Sequence, residues 1–86
     1  DAVFFISPAK AHYIMSSRSR IVSKIREIVG SEIRVGVNGV VVVKGDLDKI
    51  EMVKKALDVI ESKYDLASIY DEVVKVLKGN GGSANS

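Results

Sequence analysis

The 86-residue chain contains no cysteine. That excludes disulfide staples, thiolate–metal ligation and cysteine nucleophiles, and it fits an intracellular, cytoplasmic protein. There is one histidine, His12, without well-spaced carboxylates beside it, so neither a metal nor any other cofactor is expected. No nucleophile, base and set of oxyanion donors come together along the chain, and an enzyme is not expected. Long apolar runs are missing too. The longest, residues 2–6 and 40–43, fall far short of the roughly 20 residues that a membrane-spanning helix needs. The N-terminus lacks the basic segment and long apolar stretch of a signal peptide. Its opening on Asp1 and a strand, without Met, reads as a piece cut from a longer protein.

What is present is enough for one modest core. Apolar residues make up 47% of the chain, too many for a disordered one. The net charge of +2 is mild, but it is unevenly spread. Between Ser16 and Arg26 stand Arg18, Arg20, Lys24 and Arg26 with no acidic residue, whereas from Val35 onward seven lysines face eight acids. A concentrated positive segment is the pattern of a phosphate-contacting site. Charge alone does not separate that from a solvated helix face.

Ala2-Val3-Phe4-Phe5-Ile6 is aromatic and β-branched and predicts a strand. Ser7 then caps a short helix with Pro8 at its first position, running to about Met15. Ser16 to Ser19 interrupts it. A second helix is expected from about Arg20 to Val29, its apolar face formed by Ile21, Val22, Ile25, Ile28 and Val29, with Gly30 as left-handed C-cap. Residues 32–37 alternate as a half-buried strand, Asn38-Gly39 predicts a tight hairpin with positive φ at both, and residues 40–44 return. Asp48 and Glu51 have the spacing of a capping box for a helix carrying Ile50, Val53, Ala56, Leu57 and Ile60. Asp65 caps a final helix to about Lys78 that carries Leu66, Ile69, Tyr70, Val73 and Leu77. The glycine-rich residues 79–86 are expected to stop it and form a disordered tail.

The pattern is that of an α+β domain over residues 1–63, a helix over 64–78 packed on or beside it, and the tail. Three strands need helices on one face to be stable. Both faces of the first and third strands are apolar, however, where one-sided burial predicts alternation. Something is therefore expected to cover the second face: the last helix, a neighbouring domain or another subunit.

The chemistry concentrates where Ser16-Ser17-Arg18-Ser19 leads into the second helix. Backbone N–H groups and the helix dipole there favour an anion. Arg20, Lys24 and Arg34 are candidate phosphate contacts, and Val22, Ile25 and Val35 the candidate floor of a groove for bases. The competing reading is that Ser19 merely caps the helix and the arginines are solvated. His12, at the end of the first helix, offers a ring for stacking, while Tyr13 equally suits packing. Tyr64 and Tyr70 read as packing residues.

The segment Ile6-Ser7-Pro8-Ala9-Lys10-Ala11-His12-Tyr13-Ile14-Met15 resembles the first strand and helix of type I KH domains. Val22, Ile25, Gly30 and Ile33 fall at that family's spacing, and Val40-Val41-Val42-Val43-Lys44-Gly45 is similar to its return strand. The resemblance covers roughly residues 2–63. It implies a β-α-α-β-β-α fold, with a three-stranded antiparallel sheet bearing helices on one face, plus one extra C-terminal helix. It also implies single-stranded RNA as partner, held by a Gly-x-x-Gly loop, at whose position this chain has Ser16-Ser17-Arg18-Ser19. The serines add Cβ atoms and disfavour positive φ, so the resemblance leaves open a degenerate domain that serves as a protein scaffold. More narrowly, Arg34-Val35-Gly36-Val37-Asn38-Gly39-Val40 and the extra helix look like the C-terminal KH domain of archaeal exosome cap subunits. That implies a preceding barrel domain, protein partners on the sheet face, and a part in RNA degradation.

Overall fold

A computed structural model describes residues 1–16, 19–63 and 65–82. The expectations that fall on Ser17, Arg18, Tyr64 and residues 83–86 lie outside the described residues. The elements are β1 (Ala2–Phe5), α1 (Pro8–Met15), α2 (Ile21–Val29), β2 (Glu32–Val35), β3 (Val40–Lys44), α3 (Leu47–Ser62) and α4 (Leu66–Gly82). This is the expected α+β order, with the extra helix at the C-terminal end.

Local chemistry sets most of the boundaries. The Ser7 side chain accepts from the Lys10 N–H and Pro8 sits at the first helical position, so α1 begins where a missing donor does no harm. Gly30 ends α2 at φ 74°, a left-handed value that suits glycine. The Asp65 carboxylate accepts from the Ala67 N–H at the start of α4.

Three boundaries differ from expectation. The cap of α3 is Asp46, whose carboxylate accepts from the Lys49 N–H at 3.1 Å, and Asp48 lies inside the first turn. Both acids favour the positive end of the helix, but only Asp46 has the extended backbone a cap requires. Four residues, 36–39, join β2 to β3 rather than two. Gly36 N–H donates to the Val40 carbonyl and Gly39 N–H to the Gly36 carbonyl, so β2 ends at Val35 and, among the turn residues, positive φ falls on Gly39 alone. The last helix continues through Gly79 to Gly82. Each glycine disfavours a helix by about 1 kcal/mol relative to alanine, too little by itself to halt one already nucleated.

The sheet order is β1-β3-β2, antiparallel throughout, with Ala2 opposite Val43, Phe5 opposite Val40 and Ile33 opposite Val43. This register puts Phe4, Ile33, Val35, Val41 and Val43 on one face. Helices cover that face: Ile14, Ile21, Ile25, Val53 and Ile60 are buried with Val41 and Val43 in a single core. Helix α4 packs on α2 and α3 and adds Ile69, Val73 and Leu77, one turn apart from each other. Burying a side chain of that size contributes about 2 kcal/mol, so α4 is an integral layer of the domain.

The other face of the sheet holds Val3, Phe5, Val40 and Val42, flanked by Glu32, Arg34 and Lys44. Val3 is 54% exposed and Phe5 75%. Of the three covers considered for this face, the last helix is ruled out, because α4 lies with the other helices. Among the described residues no helix is long and apolar enough to cross a membrane.

Candidate nucleic-acid interface

The turn between α1 and α2 is built by its own polar groups. Ser16 closes α1, its N–H donating to the Tyr13 carbonyl, and its carbonyl accepts from the Ser19 N–H at 3.1 Å. The buried Ser19 hydroxyl lies 3.0 Å from both the Ile14 and Ser16 carbonyl oxygens, to which it donates, and it accepts from the Ile21 N–H. Ser19 therefore acts as the capping reading expected, and its oxygen is already engaged.

Ser16 and Ser19 escape the strain foreseen for them. Ser16 has φ −60°, and the one non-glycine residue at positive φ among the described residues is Arg20, at 55°. The left-handed step that admits the chain into α2 thus falls one residue beyond the loop. An L-residue held there gives up roughly 1–2 kcal/mol.

The start of α2 is an open donor site. The Ser19 oxygen engages only the first N–H, that of Ile21; the Arg20 side chain adds no cap and no acid lies in the first turn. The first helical bond runs from the Lys24 N–H to the Arg20 carbonyl, and the Val22 and Ser23 N–H groups have no acceptor among the described residues. Free donors at the positive end of a helix attract anions. The Arg20 side chain is exposed and makes no hydrogen bond or ion pair among the described residues. Lys24 pairs with Glu27 at 3.5 Å, a surface contact worth less than about 1 kcal/mol.

The expected site residues do not all converge. Residues two apart on a helix point to nearly opposite sides, so Lys24 and Val22 do not share a groove. Arg20, Ser23, Lys24 and Glu27 form the flank of α2 that faces α4, and together with Tyr70 they line an open groove of about 260 Å³. On the other flank, Arg26 donates to the Ile33 carbonyl through Nε at 3.0 Å and Nη2 at 2.6 Å, locking α2 to β2. Half-buried Val22 and Val35 pack against the core, and Ile25, 2% exposed, lies within it, too deep to floor a base-binding groove. Arg34 stands apart. Strand alternation places it on the open sheet face, where its Nε meets Glu32 at 3.1 Å. His12 is exposed and Tyr13 packs on the core.

Tyr70 packs against the core, as its helical spacing with Ile69 and Val73 predicts. It also lines this groove, which the sequence reading did not foresee, because nothing local announces that α4 lies against the basic flank of α2. Among the described residues no cluster of three or more histidine and carboxylate side chains is placed to hold a metal ion.

No family model matches the chain. Over 69 residues, 80% of the chain, it is 30% identical to the exosome complex component Rrp4 of Methanothermus fervidus, of which the match covers 31%. The crystal structure of a protein assigned as an exosome complex RNA-binding protein superposes on 98% of the chain with a TM-score of 0.82 at 16% identity, covering 49% of that protein. The chain thus spans about a third of the one relative and half of the other, and it shares the fold of the second.

Proposed function

We propose that this chain is a KH-type RNA-binding module of an exosome-like assembly, gripping phosphates of single-stranded RNA at the α1–α2 turn and the start of α2. The observation that carries this reading is the acid-free N-terminus of α2, whose Val22 and Ser23 N–H groups have no acceptor among the described residues, beside Arg20 and Lys24. The similarity to an exosome component along most of the chain supports it, as does the β-α-α-β-β-α order. On this reading Ser16, Ser17 and Arg18 approach the same phosphates, with Arg18 forming paired hydrogen bonds to their oxygens. Ser19 shapes the turn, and Arg34 serves the sheet face. Contacts of this kind hold the nucleic-acid backbone and carry no sequence information, so binding is salt-sensitive and weakly selective. On this reading the chain is a binding module and not an enzyme.

The test is a titration of single-stranded RNA against wild type and an Arg18→Ala/Arg20→Ala variant at low and moderate salt. The variant should bind more weakly, with its log–log salt slope reduced by about 1.4 for two lost phosphate contacts. Equal affinities and equal slopes would sink the proposal.

A second reading, a protein-docking scaffold with little RNA binding, is favoured by the bare apolar sheet face around Val3 and Phe5. It predicts that the wild-type chain self-associates or is retained on an exosome ring subunit, and that Phe5→Ser abolishes this. A chain that sediments as a monomer at high concentration and passes such a subunit unretained contradicts it.

A further inference from the structure

The phosphate site at the start of α2 leaves open where the bases go. The cleft between α2 and β2 is a poor host, since Arg26 bridges it to the Ile33 carbonyl and Ile25 beneath is buried. The opposite flank of α2 is different. There Arg20, Ser23, Lys24 and Glu27 stand at positions three and four apart and face Tyr70 of α4 across an open groove of about 260 Å³.

We infer that this α2–α4 groove is the nucleotide-binding track: Tyr70 offers its ring for a base to stack on, and Arg20 and Lys24 hold the phosphates on either side of it. The inference rests on the RNA-binding reading above and moves the RNA from the sheet side of α2 to the α4 side. Three observations carry it. Tyr70 is half-buried, and its hydroxyl makes no hydrogen bond among the described residues, so a ring anchored on the core keeps a polar, accessible edge. The Arg20 guanidinium is likewise without a partner there, although its backbone is held in the left-handed region. Cations and an aromatic side chain lining one groove, next to helix N-terminal donors that have no acceptor among the described residues, are the elements that single-stranded nucleic acid requires. Glu27, 70% exposed at the side chain, stands on the rim and opposes phosphate. It sets a limit on affinity that a substitution can lift.

The chain has no tryptophan and three tyrosines, so a Tyr13→Phe/Tyr64→Phe background leaves Tyr70 as its one tyrosine emitter. Titrating that protein with single-stranded oligo(A) should quench the emission in step with binding. In affinity measurements Tyr70→Leu, which keeps apolar bulk, should weaken binding roughly tenfold or more, while Tyr70→Phe stays near wild type. Glu27→Lys should bind several-fold more tightly with a steeper salt dependence, and this exposed substitution keeps the test open if Tyr70→Leu fails to fold. Unquenched Tyr70 emission on bound RNA, or wild-type affinity in Glu27→Lys, overturns the groove while the phosphate site still stands if Arg18→Ala/Arg20→Ala weakens binding. Absence of RNA binding by the wild type overturns both.

Discussion

Ser19 is 9% exposed and its hydroxyl is engaged on both sides, donating to the Ile14 and Ser16 carbonyls and accepting from the Ile21 N–H. Removing it strands the Ile14 carbonyl and the Ile21 N–H in a buried turn, while the Ser16 carbonyl keeps the Ser19 N–H. Ser19→Ala should destabilise the chain by about 1–2 kcal/mol, read as a lowered urea midpoint with an unchanged m-value. Ser19→Gly loses the same bonds and gains no relief of strain, because the left-handed residue is Arg20. Glycine restored at this position alone is therefore expected to weaken the turn rather than to improve a phosphate grip. The cap was legible in the sequence as one of two readings. What decided between them was the reach of one oxygen to three backbone groups, which depends on how the turn folds back on α1. Arg34 was legible in principle: its strand alternates, so it belongs on the face opposite Ile33. The same holds for Lys24 and Val22, whose spacing alone sets them on different flanks of a helix.

At the scale of elements, the helix ends are joined to one another by charged side chains. Half-buried Lys10 of α1 extends its ammonium group to the last turn of α3, donating to the Ile60 carbonyl at 2.6 Å and the Lys63 carbonyl at 2.7 Å. In return, the Glu61 carboxylate accepts from the Ser7 N–H at the start of α1. The cation thus satisfies carbonyls that α3 cannot bond itself and meets the negative end of its dipole. Lys10→Met keeps the apolar stem and removes only the charge. It should lower stability by about 1.5–3 kcal/mol, the range for hydrogen bonds to a charged group, measured by denaturant unfolding; an unchanged midpoint contradicts this role for Lys10. The elements themselves were readable from residues such as Pro8, Gly30 and Asp65, whose preferences are local. The cap of α3 and the length of the hairpin were not. Asp46 and Asp48 both satisfy the composition rule, and only the backbone path out of β3 selects between them. Asn38-Gly39 suits two turn geometries, and pairing of Gly36 with Val40 picks the longer one.

On the scale of the whole molecule, α4 has two roles, of which the apolar spacing reveals the first and no local pattern the second. Its Ile69, Val73 and Leu77 complete the core, and its Tyr70 forms one wall of the groove on α2. The molecule consequently presents two dissimilar surfaces, a polar groove on the helical side and an apolar sheet face on the other. On the proposed readings, an RNA in the groove and a protein on the sheet face would not compete, because the two surfaces lie on opposite sides of the domain.

The β1-β3-β2 strand order, with the Ile6 N–H bonded to the Gly39 carbonyl at 2.8 Å, also has a kinetic meaning. The β2–β3 hairpin closes locally, between Val35 and Val41, whereas β1 must bring Phe5 to Val40 across both first helices. The longer closure carries an entropy penalty greater by on the order of 1.5 kcal/mol, and a further bond waits at the hairpin tip. Folding should therefore set the hairpin before β1 adds to its free edge, and β1 should detach first when the native state opens. Native-state hydrogen exchange is the measure: β1 amides should exchange through a smaller opening than those joining β2 to β3. Protection of β1 equal to that of the buried turns of α3 would contradict this order. The strand that lends Phe5 to the apolar face would then be the domain's most easily released piece.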